Sequence, residues 1–552
     1  MPTVTFPLAY LTRLTQTSPA QLEKQAFSYG LDAVLREQEL EVEVTAERPD
    51  LLAAEGFTRA INIYNQIPRT IPDQLEASGR TIHVSPTVES LRPCIAALVV
   101  ENADLGDGGL EALIQFQEKV TQTFGRQRKK IAIGVYDLDQ IWGDLRYVAV
   151  NSDALSFVPL KGDRPMTARQ LLTDHPSGHL YASTLPTQDQ VPVLMDERDT
   201  ILSLPPIINA EGIGAVTAET RNLFIDVTGI LQQTVMDTIN ILAHNFLDTG
   251  AQVKTVAIAT PDGTQVTPSL TRKEIPFSAK FLNEVIGTSI PKQDLGLYLE
   301  RMDLHPTGTD IVRVPTYRTD IFSQIDIAGD LLVAVGIENL QADFTSLKFY
   351  TGEADRLRSF VLKVGDWAQR MGLMEVKSYI LTAPDLLEHF SSTYVQTANA
   401  KSRTYSATRT TLQAGLLEIL SRNINAPKPI NIYEIGEVLN LKSDGSIQET
   451  FLWGFASLDA RASFAIAKSY IQTLLHALRI DYTLVECDAS YYIPGRAASV
   501  IIDQQIVGQF GEIHPEVLQA FSFPEPVCSG ELNCEILMQS HVKISEFYDA
   551  RI

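Results

Sequence analysis

The sequence is poor in cysteine, in positive charge and in long apolar runs. Its 552 residues include four cysteines, none in a CxxC pair, so neither a disulfide framework nor a structural zinc site is predicted. Lysine and arginine total 45 against 67 aspartates and glutamates, and the net charge of −22 argues against a surface coated with nucleic-acid-binding charge. No apolar run reaches the roughly 18 residues that a membrane span needs. The N-terminus lacks the pattern of a secretory signal, and the cysteine usage indicates a cytosolic protein.

Several catalytic signatures are also missing. The sequence contains no G-x-S-x-G elbow, no Walker loop and no HExxH pair, so the best-known hydrolase, nucleotide and zinc motifs do not apply. It also lacks a Gly-x-Gly-x-Gly-x-Arg segment. Function must therefore be sought in less conspicuous groups of polar residues.

Length and hydropathy patterning predict a multidomain α+β protein. Hydrophobic residues make up 45% of the chain, enough for sizeable cores. Its length predicts several domains, and the element pattern places them at 1–84, 85–257, 258–343 and 344–552. The first reads as a small α/β unit, the second as mixed α/β and the third as a compact, winged-helix-like module. The last reads as an antiparallel sheet with helices packed on it.

One predicted strand, Asn222–Gly229, has an unusual polar face. Leu223, Ile225 and Val227 point to one side of the strand, and Phe224, Asp226 and Thr228 point to the other. An acid, a hydroxyl and an aromatic ring on one face suit the wall of a polar pocket. The competing interpretation makes Thr228 the cap of the next helix and Asp226 part of a surface pair. The pattern alone leaves both open.

A second unusual stretch is basic. Arg126, Arg128, Lys129 and Lys130 form the densest positive cluster of an acidic chain. Such runs are commonly solvated loops, but the contrast with the acidic background equally favours a contact with a phosphate backbone.

A third stretch, Arg313–Gly336, carries three carboxylates where an extended segment turns helical. Asp326 and Asp330 are four residues apart and share a helix face, and Asp320 lies just upstream. The acids fit either a hard cation such as Mg²⁺ or the positive end of a helix dipole. The residues by themselves favour the helix dipole.

Long motifs along nearly the whole chain resemble the β subunit of phenylalanyl-tRNA synthetase, in its shorter archaeal and eukaryotic form. The motifs that carry the resemblance, in chain order, are Glu47–Gly56, Arg128–Gly134, Leu204–Asn209, Glu219–Gly229, Val314–Asp320, Tyr433–Glu437, Gly495–Ala498 and Gly508–Val517.

The resemblance implies a subunit of an (αβ)₂ tetramer that attaches phenylalanine to its tRNA using ATP. In that family the α subunit holds the aminoacylation site. The last domain then resembles a class II synthetase fold without catalytic motifs, serving as the interface with the α subunit. The second domain resembles the family's editing domain, which hydrolyses tyrosine wrongly attached to the phenylalanine tRNA.

The resemblance also implies two sets of site residues. The editing pocket maps onto five residues: Leu194, Ser203, Asn209, Asp226 and Thr228. Leu194 is expected to form the wall beside the substrate ring, and the four polar residues to bind the tyrosine hydroxyl, the α-amino group or the attacking water.

The family's magnesium site draws on four acidic positions around the helix of the third domain. Asp320, Asp326 and Asp330 match three of them, and Gly329 stands at the fourth. Since Mg²⁺ keeps several waters, the remaining acids are still candidate ligands.

Two other functions are compatible with these features. One is a free-standing hydrolase of mischarged tRNA, which would act without an α subunit. The other is a non-catalytic RNA-binding scaffold. The length of the last domain argues against the first, because an independent hydrolase would not need a class II-like interface.

Overall fold

The computed structural model describes residues 2–308, 310–341 and 350–549. The chain forms two compact units, Met1–Thr345 and Ser346–Ile552. The predicted boundaries at 84/85 and 257/258 lie inside the first unit, and the four-domain division stays a prediction. In the part of the chain that is described, no helix combines the length and apolar character needed to cross a membrane.

The first unit begins with a small sheet and three helices. In chain order these are β1 (Thr3–Pro7), α1 (Leu8–Leu14), α2 (Pro19–Ser28), β2 (Asp32–Leu35), β3 (Glu39–Glu43) and α3 (Ala54–Tyr64). The sheet has the order β1-β3-β2 and is antiparallel. One face of β3 is fully buried, as its alternating sequence predicts.

A ten-stranded mixed sheet follows, together with four helices. The elements are β4 (Glu76–Val84), β5 (Cys94–Glu101), α4 (Gly106–Gln122), β6 (Ile131–Asp137), β7 (Leu145–Asn151), β8 (Ser156–Phe157), β9 (Met166–Thr167), α5 (Ala168–Asp174), α6 (Pro176–Tyr181), β10 (Gln190–Asp196), β11 (Ile201–Leu204), β12 (Ile208–Asn209), β13 (Leu223–Gly229), α7 (Gln232–Asp248), β14 (Gln252–Thr260) and β15 (Gly263–Thr267). The strand order is β12-β11-β10-β7-β4-β14-β5-β13-β6, with β15 beside β14 and a separate β8-β9 pair.

Strand β13 is the element that positions the candidate site. It runs antiparallel between β5 and β6, and all seven of its residues are buried. Leu223, Ile225 and Val227 join the largest apolar cluster of the unit, whereas Phe224 packs in a different cluster. The predicted division of the strand into two faces is therefore confirmed. Helix α7 begins at Gln232 with Leu231 as its N-cap, so Thr228 does not cap that helix.

The first unit ends with a small antiparallel sheet and three helices. They are β16 (Lys273–Pro276), α8 (Ala279–Ile286), α9 (Lys292–Glu300), β17 (His305–Thr307), β18 (Ile311–Val314) and α10 (Gln324–Val335). The sheet order is β16-β18-β17. Ser323 caps the start of α10, and Gly336 follows its last residue in a positive-φ conformation that glycine adopts readily.

The second unit is built on a seven-stranded sheet of order β19-β22-β23-β27-β26-β25-β24. Its elements are α11 (Arg356–Arg370), β19 (Met374–Glu375), β20 (Leu381–Thr382), α12 (Pro384–Leu387), β21 (Ala407–Thr408), α13 (Gln413–Arg422), β22 (Ile430–Leu441), β23 (Ile447–Leu458), α14 (Phe464–Ala477), β24 (Thr483–Glu486), β25 (Tyr492–Ile502), β26 (Gln505–Ile513), α15 (Pro515–Ala520), β27 (Val527–Asn533) and α16 (Cys534–Asp549). All strand pairs of this sheet are antiparallel except β19 with β22. The predicted antiparallel sheet with packed helices is thus present.

Candidate active site

The polar face of β13 opens into a cavity of about 670 Å³. Asp226 and Thr228 line it from β13, Ser203 from β11 and Asn209 from β12. The structure therefore brings together the four polar residues that the sequence pointed to. The volume is typical of a small-molecule site.

Apolar side chains form much of the remaining wall. They come from α4, from β6, from β12 and from the segment between β11 and β12, and include Leu110, Leu113, Ile133, Val135, Pro206 and Ile208. Polar and charged residues complete the lining, among them Gln117, Glu118, Lys161, His175 and Glu211. A mixed wall of this kind fits a ligand that has one hydrophobic part and several hydrogen-bonding atoms.

Tyr136 organises one end of the polar face. Its hydroxyl donates to Asp226 Oδ1 at 2.7 Å and lies 2.8 Å from Ser203 Oγ. Because the hydroxyl has one hydrogen, the serine donates to the tyrosine oxygen when the tyrosine donates to the carboxylate. Gly134 faces Asp226 across the β6–β13 pair, and a side chain there would overlap both the tyrosine hydroxyl and the carboxylate.

Burial sets the acidity of these groups. Asp226 is 1% exposed, and burial raises the pKa of its carboxyl to about 7, although the Tyr136 hydrogen bond and the Arg92 charge oppose the increase. Burial, together with the neighbouring carboxylate, also holds the pKa of the Tyr136 hydroxyl well above its usual range. At neutral pH the tyrosine is therefore a hydrogen-bond donor, and Asp226 titrates near physiological pH.

Arg92 supports the other end of the polar face. Its Nε donates to Thr228 Oγ1 at 3.0 Å, and its Nη2 donates to the Thr228 carbonyl at 2.7 Å. Arg92 Nη1 reaches the carbonyls of Arg128 and Lys129 at 3.3 and 3.4 Å. The arginine thus joins the end of β13 to the basic loop.

Leu194 lies next to the polar residues of the site but does not itself line the cavity. The side chain is fully buried and packs in the apolar cluster that contains Tyr136 and Phe224, rather than among the residues that line the cavity. In β10 it pairs with Ser203 and Tyr147, so its side chain lies on the same face of the sheet as Ser203. Its expected place beside the substrate ring stays a prediction.

The basic loop lies at the cavity and has a distinctive backbone. Arg126, Gln127 and Arg128 have φ angles of 48°, 55° and 63°, three consecutive left-handed residues without a glycine. Arg128 lines the cavity, donates to the Pro206 and Ile207 carbonyls and stacks over a tyrosine ring. Arg126 and Lys129 are exposed, so only part of the predicted cluster is available to an external phosphate.

The three carboxylates of Arg313–Gly336 do not converge on an open cation site. Asp326 closes the capping box of α10 and accepts from the backbone nitrogens of Phe322 and Ser323. Asp320 and Asp330 both bind the buried guanidinium of Arg318, at 2.7 Å each.

Arg318 therefore occupies the place where a cation would balance these acids. Within the described ranges no group of three or more histidine, cysteine, aspartate or glutamate side chains is placed to hold a metal ion. The residues do not fit the Mg²⁺ site that the resemblance implied.

Arg92 and Tyr136 are the site residues that the sequence alone did not indicate. Both contact β13 across long sequence separations, 136 residues for Arg92 and 90 for Tyr136. The period-2 pattern of Ile131–Val135 shows that Gly134 and Tyr136 share a face, but the register that sets them against Asp226 is a tertiary property.

Models of two known domain families match the chain. Residues 275–337 match the "tRNA synthetase B5 domain" and residues 340–534 match the "Phenylalanyl tRNA synthetase beta chain CLM domain". A crystallised N-terminal fragment of the phenylalanyl-tRNA synthetase β subunit from Pyrococcus horikoshii is 29% identical, with a TM-score of 0.57. That match covers 60% of this chain and 99% of the fragment.

Curated relatives match over most of their length. The phenylalanine–tRNA ligase beta subunit of Thermococcus sibiricus is 32% identical over 88% of each chain. That of Archaeoglobus fulgidus is 31% identical over 97% of this chain and 98% of its own. This chain belongs to the family of phenylalanine–tRNA ligase beta subunits.

Proposed function

We propose that this chain works with an α subunit to attach phenylalanine to its tRNA, and that its own cavity hydrolyses tyrosine wrongly attached to that tRNA. Family membership supports the first activity. The observation that carries the second is the meeting of Ser203, Asn209, Asp226 and Thr228 in one cavity with apolar and polar walls.

Editing is needed because the two amino acids differ by a single hydroxyl. A hydrophobic pocket rejects an isostere with an added hydroxyl by only about 100-fold. A second pocket with polar groups can select for that hydroxyl. The oxygen cluster of Asp226, Tyr136 and Ser203 fits this task. The Asp226 and Ser203 oxygens lie 2.7 and 2.8 Å from the Tyr136 oxygen, and the carboxylate has further lone pairs that can accept from the substrate hydroxyl.

The reaction is ester hydrolysis by water. The water oxygen bonds to the ester carbonyl carbon, and the carbonyl electron pair moves to its oxygen. When the tetrahedral intermediate collapses, the bond to the ribose oxygen breaks, and a proton from the water ends on that ribose oxygen. Free tyrosine and tRNA result. No protein nucleophile is required if the cavity orients the water and the ester.

The tRNA partner accounts for the basic loop. Arg126 and Lys129 are exposed, and the loop that carries them borders the cavity through Arg128. In a chain of net charge −22 this is a local contact for the phosphates next to the esterified end.

The second unit is assigned to the α-subunit interface. Its antiparallel sheet with packed helices suits a class II synthetase-like core, and the absence of a Gly-x-Gly-x-Gly-x-Arg segment suits a catalytically inactive copy. The small β16–α10 module corresponds to the winged-helix-like domain. We assign the chain to an (αβ)₂ assembly, and the use of ATP and Mg²⁺ to that complex as a whole. We also assign it a cytoplasmic location, in keeping with its four free cysteines.

The test is co-expression with a matching α subunit, followed by two assays on the purified complex. We expect phenylalanine attachment only with the α subunit present, and hydrolysis of tyrosyl-tRNA by the complex. Asp226→Ala combined with Thr228→Ala should abolish the hydrolysis and leave phenylalanine attachment unchanged. The double variant with unaltered hydrolysis would refute the editing site.

The same assays separate the other functions. A monomer that hydrolyses tyrosyl-tRNA fully without the α subunit would identify a free-standing hydrolase. A parent protein that binds tRNA but neither assembles nor hydrolyses would identify a scaffold.

A further inference from the structure

Arg92 is a buried cation whose hydrogen bonds end on neutral oxygens. The side chain is among the largest fully buried ones, with 1% exposure. Its four hydrogen bonds go to the Thr228 hydroxyl and to the carbonyls of Thr228, Arg128 and Lys129. Burial lowers the pKa of Arg92 to about 10, so the guanidinium stays charged at neutral pH. Asp226 attracts the guanidinium, but none of these four hydrogen bonds goes to a carboxylate. A buried charge without a direct ion pair is costly, which calls for a functional reason.

The direction of one hydrogen bond fixes the role of the threonine. A guanidinium has donors and no acceptor, so Arg92 Nε–H donates to Thr228 Oγ1 at 3.0 Å. The hydroxyl hydrogen of Thr228 must then point away from Arg92. Among the described residues no acceptor for that hydrogen is found, and Thr228 lines the cavity. Thr228 is 0% exposed, so its hydroxyl is a hydrogen-bond donor only for an occupant that packs directly against the end of β13.

The other end of the same face has the opposite polarity. Asp226 is two residues away on β13, about 6.6 Å along the strand. It accepts from Tyr136, and its ionised form has no donor to offer. One end of the face thus suits a substrate donor, and the Thr228 end suits a substrate acceptor.

We infer that Arg92 is a positioning residue for ester hydrolysis, holding the Thr228 hydroxyl as a donor to the ester carbonyl oxygen. This inference rests on the editing function proposed above. The substrate's phenol hydroxyl lies at the Asp226 end and the ester carbonyl at the Thr228 end. When water attacks, negative charge develops on the carbonyl oxygen, where the Thr228 hydroxyl, oriented by Arg92, stabilises it as a donor. Arg92 keeps its proton throughout.

The experiment is a double-mutant cycle in the αβ complex, with tyrosyl-tRNA hydrolysis as the readout. The variants are Arg92→Met, Thr228→Val and their combination. Each single variant should lower kcat by about 100-fold, the usual effect of losing one oxyanion donor, with KM changed less than about 3-fold. If Arg92 acts through Thr228, Arg92→Met has no further effect once Thr228→Val is present.

Two further variants separate positioning from folding. Arg92→Lys keeps the buried charge but cannot span both the hydroxyl and the carbonyl of Thr228, so it should fold and lose a large part of kcat. This loss should appear when Thr228 is present and be absent when Thr228→Val is combined with it. Arg80→Met is the matched control: Arg80, on β4 of the same sheet, also donates to two backbone carbonyls, at 2.7 and 3.0 Å, but lies outside the cavity lining. It should leave kcat unchanged.

The outcomes are distinguishable. If the parent complex does not hydrolyse tyrosyl-tRNA, the editing proposal itself fails. If Thr228→Val lowers kcat while Arg92→Met and Arg92→Lys do not, the inference about Arg92 is overturned and editing stands. Additive losses in the double variants also overturn it, because Arg92 would then act by another route. Should Arg92→Met fail to fold, the Arg92→Lys arm decides.

Discussion

At the scale of single residues, burial of Asp226 links stability to function. Its carboxyl has a pKa of about 7 in the folded chain, because burial disfavours the charged form, against about 4 when unfolded. Between these values the folded state binds a proton that the unfolded state releases. The free energy of unfolding therefore falls as the pH rises from about 4 to about 7.

Asp226→Asn should remove this loss. Asparagine keeps an acceptor for Tyr136 and carries no charge, so the variant should gain stability over the parent by about 4 kcal/mol at pH 8 but only about 1.5 kcal/mol at pH 5. Urea unfolding at both pH values measures the difference. The control is Asp153→Asn, where a hydrogen bond from Arg169 lowers the pKa of Asp153, so no gain at pH 8 is expected. Equal effects of Asp226→Asn at pH 5 and pH 8 would contradict the assignment.

A second feature at this scale is that Gly134 has no room for a side chain. A methyl group there would overlap the Tyr136 hydroxyl and Asp226, so Gly134→Ala should destabilise the chain by roughly 1–3 kcal/mol and abolish hydrolysis of tyrosyl-tRNA. Gly329→Ala is the control, because nothing lies within 4 Å of its added methyl on α10, and it should be neutral or stabilise by up to about 1 kcal/mol. Thermal unfolding and deacylation assays report both effects. A fully active Gly134→Ala would show that the Tyr136–Asp226 contact is dispensable.

At the scale of elements, the start of α10 shows how one charge pattern admits two interpretations. Asp326 performs the helix-capping role that the residues by themselves favoured. Asp320 and Asp330 are bridged by Arg318, and Arg48 lies 4.0 Å from Asp320. The protein thus supplies its own cations to this acidic segment.

Magnesium should therefore leave the thermal stability of the parent chain unchanged. Arg318→Met removes the bridging cation from two largely buried carboxylates, so it should destabilise the chain by about 3–5 kcal/mol. Part of this loss should be recovered in millimolar Mg²⁺, because the acids then lack a partner. Thermal unfolding with and without Mg²⁺ at constant ionic strength tests both chains. Stabilisation of the parent by Mg²⁺ would show that this chain binds the metal after all, as the resemblance implied.

The basic loop is the other element with a specific expectation. Lys129 is exposed, so Lys129→Glu should weaken tRNA binding and reduce the slope of log affinity against log salt by about 1. Lys24→Glu changes the charge equally at an exposed position on α2 and is the control. Binding measured between 50 and 200 mM salt distinguishes them. Equal effects of the two substitutions would indicate that the tRNA phosphates do not contact the basic loop.

At the scale of the whole molecule, the sequence predicted the parts with a local signal. Strand β13 and its two faces, and the antiparallel sheet of the second unit, follow from period-2 patterns. What was not predictable depends on distant register: the contacts of Arg92 and Tyr136 with β13 and the bridging of two carboxylates by Arg318.

The two units have separate cores, which predicts separable unfolding. Arg409 and Glu434 form a buried ion pair at 2.6 Å in the second unit, so Arg409→Met should destabilise that unit by about 3–5 kcal/mol. Trp453 is fully buried in the same unit, whereas Trp142 belongs to the first. Denaturant titrations of variants retaining one of these tryptophans should show an earlier transition at Trp453 and an unchanged one at Trp142. Equal shifts of the two transitions would indicate that the two units unfold as one cooperative unit.

The left-handed turn at Arg126–Arg128 belongs to the loop whose carbonyls bind Arg92, and this contact links ligand binding on the loop to ligand binding in the cavity. The guanidinium that holds the loop carbonyls also holds Thr228, so a ligand that shifts the loop alters the threonine. Linkage is reciprocal: if a bound phosphate on the loop tightens ester binding in the cavity by some factor, the bound ester tightens phosphate binding by the same factor. The chain would then distinguish a tRNA end that carries an amino acid from one that does not, because it would bind the first more tightly and release the second.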